Sequence, residues 1–287
     1  MALLVILISI GIEKFLEGVE NLRNYSWFLK LAPRIQKPLK PHVKDPTALV
    51  VLTFLLPLLL VAIAYQYLSH VHILLGYLFN ILVLVYCMGP KSLLDKIQKF
   101  LEAHERGDQI EAKELSQVIL NGYPVENESD MIKMINKTAL IATNNQLLGV
   151  FFWFALLGPI GALLYRFSDV LLRHKAKDSA LSEEYMQTLQ LLFTILNWIP
   201  AHLTSLIYAL TGSFVDAMHQ WKIHRNYDKF TPEAANNMLV DTGFGAILIE
   251  ADTKIFDGQT VHDVLGLCRR CIFVWVVLLA IVTIVLV

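Results

Sequence analysis

The chain has few charged residues. Only 17% of its 287 residues are Asp, Glu, Lys or Arg, whereas an average soluble domain has about 25%. Hydrophobic residues make up 55% of the chain, and the mean hydropathy is +0.53. This shortage of charge excludes a disordered chain and an ordinary cytosolic enzyme, and it favours a protein that crosses a membrane several times.

Cysteine is scarce, and net charge is almost absent. The three cysteines are Cys87, Cys268 and Cys271, which are too few for a disulfide scaffold. Cys268 and Cys271 have zinc-ligand spacing, but no second pair accompanies them, so we predict free thiols and no metal site. The 24 Lys and Arg residues balance 25 Asp and Glu residues, which leaves no basic field for nucleic acid.

Familiar catalytic motifs are missing as well. The sequence contains no GxxxxGK[ST] phosphate loop, no GxSxG nucleophile and no HExxH metal pair. His219 and His224 are five positions apart, which does not place them on one clean helical face. We therefore predict no catalytic residue and no cofactor from motifs.

Long hydrophobic runs predict an all-α, polytopic membrane protein with about four to six membrane segments, some of them broken, and helical cytoplasmic regions. The whole chain, 1–287, is interpreted as one membrane domain. The predicted membrane segments are 2–18, 48–68, 72–88, 147–165, 189–210 and 271–287. The regions predicted to be cytoplasmic are 19–47, 89–146 and 212–270.

Basic residues set the predicted orientation. The three cytoplasmic regions carry most of the Lys and Arg, so the positive-inside rule places them on one side and both termini outside. The loop 166–185 is an exception, because six full spans would place its Arg166 and Arg173 outside. One resolution is that segments 147–165 and 189–210 are broken elements that do not fully cross.

Both of those segments contain helix-breaking residues. Gly158-Pro159 interrupts the fourth segment, and Pro200 interrupts the fifth. Broken helices at membrane depth usually line a cavity. We therefore expect a polar cavity where these two segments meet.

Two further patterns concern the regions outside the apolar runs. Helical spacing of apolar residues over 92–121 predicts a hairpin of two soluble helices joined by a turn at Arg106-Gly107-Asp108, followed by a third helix from Asp130 to Asn144. The first segment, 2–18, lacks signal-peptide features and is interpreted as a retained membrane helix. Its Glu13 is expected to pair with a basic residue such as Arg166 or Lys14.

Two runs resemble a known family. Residues 152–166, Phe-Trp-Phe-Ala-Leu-Leu-Gly-Pro-Ile-Gly-Ala-Leu-Leu-Tyr-Arg, are similar to the "GALLYR" region of the CobD/CbiB membrane proteins of cobalamin biosynthesis. Residues 196–204, Leu-Asn-Trp-Ile-Pro-Ala-His-Leu-Thr, resemble that family's "LNWIPARLT". The resemblance implies an enzyme that joins an aminopropanol unit to a corrinoid carboxylate.

The sequence departs from those enzymes at their acidic motif. Where they carry a carboxylate-rich stretch, residues 138–147 read Thr-Ala-Leu-Ile-Ala-Thr-Asn-Asn-Gln-Leu. His202 also stands where the enzymes favour Arg. A reaction that needs acid–base or metal help would lack its obvious groups, so the sequence argues against catalytic activity without deciding it.

The AmpE branch of the same superfamily is a closer resemblance. It also lacks the carboxylate stretch, and it is similar in Ile12-Glu13-Lys14-Phe15, in Gly18-Val19-Glu20-Asn21 and in the segment that runs on to Gly212. The resemblance implies an inner-membrane protein of bacteria associated with regulation of β-lactamase induction, and hence with antibiotic resistance. The resemblance also implies a role alongside a cytoplasmic amidase that recycles cell-wall fragments.

Polar residues at membrane depth form the tentative ligand site. Such groups usually face a bundle interior, where they bind a ligand or only join helices; both alternatives stay open. The site residues are Glu13, Asn144, Gln146, Arg166, Asn197, Trp198 and His202.

Three functions remain from the sequence: a regulatory protein, a CobD/CbiB-like enzyme, or a small-molecule transporter. Apart from the lipid bilayer, the predicted partners are a small ligand (a cell-wall fragment, a nucleotide or a corrinoid-like molecule) and a cytoplasmic protein.

Overall fold

The computed structural model describes residues 2–15, 23–39, 43, 45–89, 91–125, 127–174, 181–224, 231–249 and 256–285. Its regular elements over these ranges are all helical, which confirms the predicted class. The α-helices are α1 Ala2–Phe15, α2 Ser26–Leu39, α3 Pro46–Val71, α4 Ile73–Cys87, α5 Lys91–Glu105, α6 Gln109–Ile119, α7 Glu128–Ala142, α8 Gly149–His174, α9 Glu183–Thr211, α10 Phe214–His224, α11 Pro232–Ala246 and α12 Gly258–Val285. A π-helical turn, Thr143–Leu148, joins α7 to α8.

Among the described residues, four helical stretches are long and apolar enough to cross a bilayer. They are Pro46–Val71, Glu128–Arg173, Glu183–Thr211 and Gly258–Ile281. The helices α1 and α4 are apolar but shorter. Large apolar side chains such as Leu55, Leu59 and Leu78 are exposed on α3 and α4, as expected where helices face lipid. The protein is therefore a multi-pass membrane protein in contact with the bilayer.

The helices α3 and α4 form a tight hairpin, with only His72 between them. Asp45 caps α3 by accepting a hydrogen bond from the Thr47 amide, and His72 Nδ1 accepts one from the Leu74 amide at the start of α4. Near the turn the two helices approach so closely that a Cβ on Gly76 would lie 2.4 Å from Ser69 Oγ. Glycine permits this approach.

The chain reverses direction inside α8, at the predicted Gly158-Pro159 break. Gly158 has φ 62° and ψ −148°, outside the helical region. A Cβ on Gly149 would lie 2.4 Å from Tyr165 Cζ, yet an unbroken helix would separate these residues by about 24 Å. The fourth apolar segment is therefore a helical hairpin with its tip at Gly158, which we name the α8 hairpin.

Pro200, in contrast, lies inside one helix, so the break expected in the fifth segment is not a break in α9. A proline within a helix leaves the carbonyl four residues earlier without its usual donor. Here that carbonyl belongs to Leu196, and Trp153 Nε1–H donates to it at 2.9 Å. An indole on the α8 hairpin thus satisfies the group that the proline frees.

The helix α12 packs along α7 and the start of α8 in the same direction. Asn136 Nδ2 donates to Thr260 Oγ1 at 3.1 Å, and further along the rings of Phe152 and Trp275 are 6.4 Å apart. The helix begins at Gly258, well before the predicted start of the last segment at 271. Cys268 and Cys271 are buried free thiols on this helix.

The helices α5, α6 and α7 agree with the periodicity of the sequence. The predicted hairpin over 92–121 is confirmed as α5 and α6, with the turn at Arg106-Gly107-Asp108. Asp108 caps α6 by accepting a hydrogen bond from the Glu111 amide at 3.0 Å. The third predicted helix is α7.

Candidate functional site

Asparagine side chains form a buried network at the π-helical turn. Asn144 Nδ2 donates to Asn197 Oδ1 at 2.8 Å and to Asn145 Oδ1 at 2.7 Å. The hydroxyl of Thr204 donates to Asn144 Oδ1 at 2.9 Å, and the hydroxyl of Tyr165 donates to Asn197 Oδ1 at 2.8 Å. The network therefore joins the turn, the α8 hairpin and α9. A π-helical turn inserted into an α-helix often marks a functional position.

One donor in this network has no partner among the described residues. Asn197 is 1% exposed, and its Nδ2 makes no hydrogen bond there, although its Oδ1 accepts two. A buried donor left unsatisfied costs about 1–3 kcal/mol. The Asn197 amide is therefore the point in the network with spare capacity for an acceptor.

Replacement of Gly149 by Ala should disturb the network through Tyr165. The added methyl would lie 2.4 Å from both Cζ and the hydroxyl oxygen of that tyrosine, so the ring must move away from Asn197. Overpacking of this kind costs about 1–3 kcal/mol, which thermal unfolding of the purified protein would detect. Gly266→Ala is the matched control, because a Cβ there meets nothing within 4 Å; equal melting temperatures for the two variants would contradict the prediction.

A buried ion pair lies beside the turn. Arg23 pairs with Glu13, and their side chains are 4% and 8% exposed. Arg23 also donates to the carbonyl oxygens of Val85 and Gly89, each at 3.1 Å. The Gly89 amide donates to the Gln146 carbonyl oxygen at 2.8 Å. The pair therefore connects α1 to the end of α4 and to the π-helical turn.

This finding corrects one of the two named partners expected for Glu13, Arg166. Arg166 pairs instead with Asp169, at 2.8 Å from its NH1, and Lys14 lies at a position whose side chain the structure does not describe. Sequence reasoning counted Arg23 only as a cytoplasmic positive charge. The assignment of residues 19–47 to the cytoplasm hid the pairing, although Arg23 is near Glu13 in the chain.

Arg166 is held in a second buried group. Asp169 accepts from Arg166 and, at 2.7 Å, from Arg173. Arg166 Nε also donates to the hydroxyl of Tyr25 at 3.3 Å. Burial raises the pKa of Tyr25 to about 12, although Arg166 opposes the rise. The phenol therefore keeps its proton at neutral pH and donates it to the carbonyl oxygen of Tyr86.

Trp198 and His202 lie apart from these groups. Their rings are 4.4 Å apart, and Trp221 of α10 is 6.0 Å from His202. His202 Nδ1 lies 2.7 Å from the carbonyl oxygen of Trp198. Trp198 is exposed, so these two residues form an aromatic patch on the surface of α9 rather than part of the buried network.

Five of the seven predicted site residues therefore lie in these buried groups, and two of them, Asn144 and Gln146, belong to the π-helical turn itself. We call this set, with the partners that the sequence did not single out, the polar belt. The belt comprises Glu13, Arg23, Tyr25, Asn144, Asn145, Gln146, Tyr165, Arg166, Asp169, Asn197 and Thr204. The belt residues that the sequence analysis did not name could have been found only as polar residues within or next to apolar runs.

The fold and the belt define a class: multi-pass helical membrane proteins whose membrane bundle is joined internally by buried polar side chains. Within that class, the chain matches over residues 1–287 the family described as "Regulatory signalling modulator protein AmpE". The protein belongs to the AmpE family.

A curated relative supports the wider superfamily. "Cobalamin biosynthesis protein CobD" of Stutzerimonas stutzeri (strain A1501) is 26% identical over 149 residues, which are 52% of this chain and 49% of that protein. The chain thus matches about half the length of this relative. No solved structure matches the chain.

Proposed function

We propose that the protein is a regulatory protein of the bacterial inner membrane that takes part in β-lactamase induction and cell-wall recycling, and that the polar belt senses a small ligand. Membership of the AmpE family supports the regulatory role. The unpartnered amide of Asn197 carries the proposal for the belt. A cell-wall fragment, a nucleotide or a corrinoid-like molecule would each offer an acceptor for it.

The polar belt lies where it could transmit a signal from the membrane bundle to the helices outside it. Asn144 and Gln146 lie in the turn between α7, which leads to the soluble helices, and the α8 hairpin in the apolar bundle. A ligand shifts a conformational equilibrium only by its differential affinity for the two states. An acceptor that satisfies Asn197 would favour one arrangement of these helices, and α7 would carry the change towards α5 and α6.

A cytoplasmic protein partner completes the proposal. The surface of α6 exposes Ile110 at 76% and Val118 at 55%, and Tyr123 follows at 61%. Exposed apolar side chains of this kind are typical of interaction surfaces. The partner would receive the signal at this helical hairpin.

The test is β-lactamase induction in a strain that depends on this protein. Asn144→Ala removes the donor to Asn197 and the acceptor of Thr204, so we expect the induction ratio to change severalfold at equal protein levels, because a coupling of about 1–3 kcal/mol corresponds to roughly 5–150-fold. Asn237→Ala, at an exposed asparagine of α11, should induce like the wild type. Identical induction in both variants would contradict the role of the belt.

The enzyme alternative is tested on purified protein. The CobD relative favours it over half of the chain, whereas the missing carboxylate stretch opposes it. Aminopropanol-dependent formation of a corrinoid amide by the wild-type protein would overturn the regulatory proposal. His202→Ala should leave ligand binding unchanged, because this residue lies outside the belt.

A further inference from the structure

A cavity of about 590 Å³ lies where the tip of the α8 hairpin meets the α3–α4 hairpin. This volume falls within the range of roughly 300–1,000 Å³ that is typical of small-molecule sites. The tip contributes Leu157, Gly158, Pro159 and Ile160. Because Gly158 lies far along the helix from Asn144, the cavity is separate from the polar belt.

The lining is divided into a polar and an apolar side. Tyr65 and Ser69 of α3 and Tyr77 and Asn80 of α4 supply hydroxyl and amide groups. The opposite side consists of α1 and the α8 hairpin, with apolar side chains that include Val5, Phe154, Ala155 and Leu157. This arrangement matches a molecule that is polar at one end and apolar at the other.

Asn80 gives the polar side a specific requirement. It stands in an otherwise apolar helix, and a polar residue in such a position is usually functional. Its Oδ1 is buried and has no hydrogen-bond partner among the described residues. A carbonyl oxygen accepts but does not donate, so the missing partner is a hydroxyl or an N–H group.

The absence of charge in the lining and the side chains around the cavity further limit which molecule can bind there. The lining residues are uncharged, so the wall of the cavity offers no partner to a charged headgroup. Lipid-facing side chains, among them Leu74, Leu78 and Leu156, are exposed nearby, so a molecule dissolved in the bilayer has a path to the cavity. We propose that the cavity binds an uncharged, hydroxyl-bearing amphiphile from the membrane, with its hydroxyl donating to Asn80.

The test uses full-length protein in nanodiscs and a monoacylglycerol that carries a photoreactive diazirine in its chain. Irradiation should label peptides that contain residues 65–80 and 154–160. Excess unlabelled monoacylglycerol should abolish the labelling, whereas an alkane of equal chain length should not. Equal competition by an alkyl phosphate would overturn the assignment of an uncharged headgroup.

Variants separate the site from general lipid contact. Asn80→Leu, of nearly equal size, should reduce labelling about tenfold, since the hydroxyl of the ligand would lose its acceptor. Ala155→Phe should abolish it by filling the cavity. Leu78→Phe adds similar bulk on the exposed side of α4 and should label like the wild type. Equal labelling of Asn80→Leu and wild type, or labelling spread evenly over the lipid-facing helices, would overturn the proposal, even if Ala155→Phe fails to fold.

Discussion

A cysteine introduced at Glu183 should resist a membrane-impermeant maleimide in right-side-out vesicles and react fully once the vesicles are opened. A cysteine at His72, in the α3–α4 turn, should show the opposite behaviour and react in intact vesicles. The native Cys87, Cys268 and Cys271 are buried, so the wild-type protein should give little background. In intact vesicles we therefore expect almost complete labelling at position 72 and almost none at position 183.

The α8 hairpin is the reason for this expectation. The chain enters the bundle after α7, reverses at Gly158 and returns, because Gly149 and Tyr165 lie in contact. The described start of the predicted loop 166–185, with Arg166 and Arg173 in the second half of α8, then lies on the side from which α7 came. Its arginines join the other basic regions, and the conflict with the positive-inside rule disappears.

Contacts at the two ends of α9 support the same topology. Ser182, next to its first residue, accepts a hydrogen bond from Gln36 Nε2 at 3.3 Å. Near its last turn, Tyr208 donates to the carbonyl oxygen of Leu140 at 3.0 Å. Both partners lie in regions predicted to be cytoplasmic. We therefore propose that α9, although long and apolar enough to span, begins and ends on one side.

Further positions control the labelling experiment. Cysteines at the exposed Lys99 of α5 and Lys222 of α10 should behave like the one at Glu183. Six full spans would instead expose Glu183 on the outer side. Labelling of Glu183→Cys in intact vesicles, with Lys99→Cys protected, would therefore contradict the hairpin topology and restore the six-span prediction.

Hydropathy and periodicity predict the plain helices well, since burial in lipid or against a core dictates their composition. The predicted segments 48–68 and 72–88 correspond to α3 and α4. The reversal in α8 was not predictable in the same way. Gly-Pro indicates a break, but only the positive φ of Gly158 and the contact with Tyr165 distinguish a kink from a full turn.

The polar belt shows a similar limit. Membrane depth alone singled out Asn144 and Asn197, and their contact follows from the expectation that polar groups face one another. The same logic cannot choose among the many hydroxyl groups within or beside the apolar runs, so it missed Tyr165 and Thr204. Pro200 shows what the sequence can and cannot predict. It predicts a carbonyl at Leu196 without its usual donor, but not that Trp153 supplies another one.

Replacement of Arg23 by Met should be among the most destabilising single changes in this chain. It removes the pairing with Glu13 and both donors to the carbonyl oxygens of Val85 and Gly89. Breaking a buried ion pair by removing one partner costs about 3–5 kcal/mol, because the remaining charge stays buried. Arg23→Lys should recover only part of the loss, since a single ammonium lacks the planar fork that reaches several acceptors.

A matched exposed ion pair distinguishes the cost of breaking a buried pair from the cost of losing a positive charge. Arg106 and Glu111 are 2.7 Å apart but 62% and 46% exposed, so Arg106→Met should cost at most about 1 kcal/mol. Thermal unfolding of the purified protein at fixed detergent concentration measures both variants. If the buried Glu13 carboxylate is the main penalty, Glu13→Gln added to Arg23→Met should restore part of the stability. If the double variant is no more stable than Arg23→Met alone, the penalty comes from the unsatisfied carbonyl groups of Val85 and Gly89. If Arg23→Met and Arg106→Met have equal melting temperatures, the buried pair does not join α1 to α4.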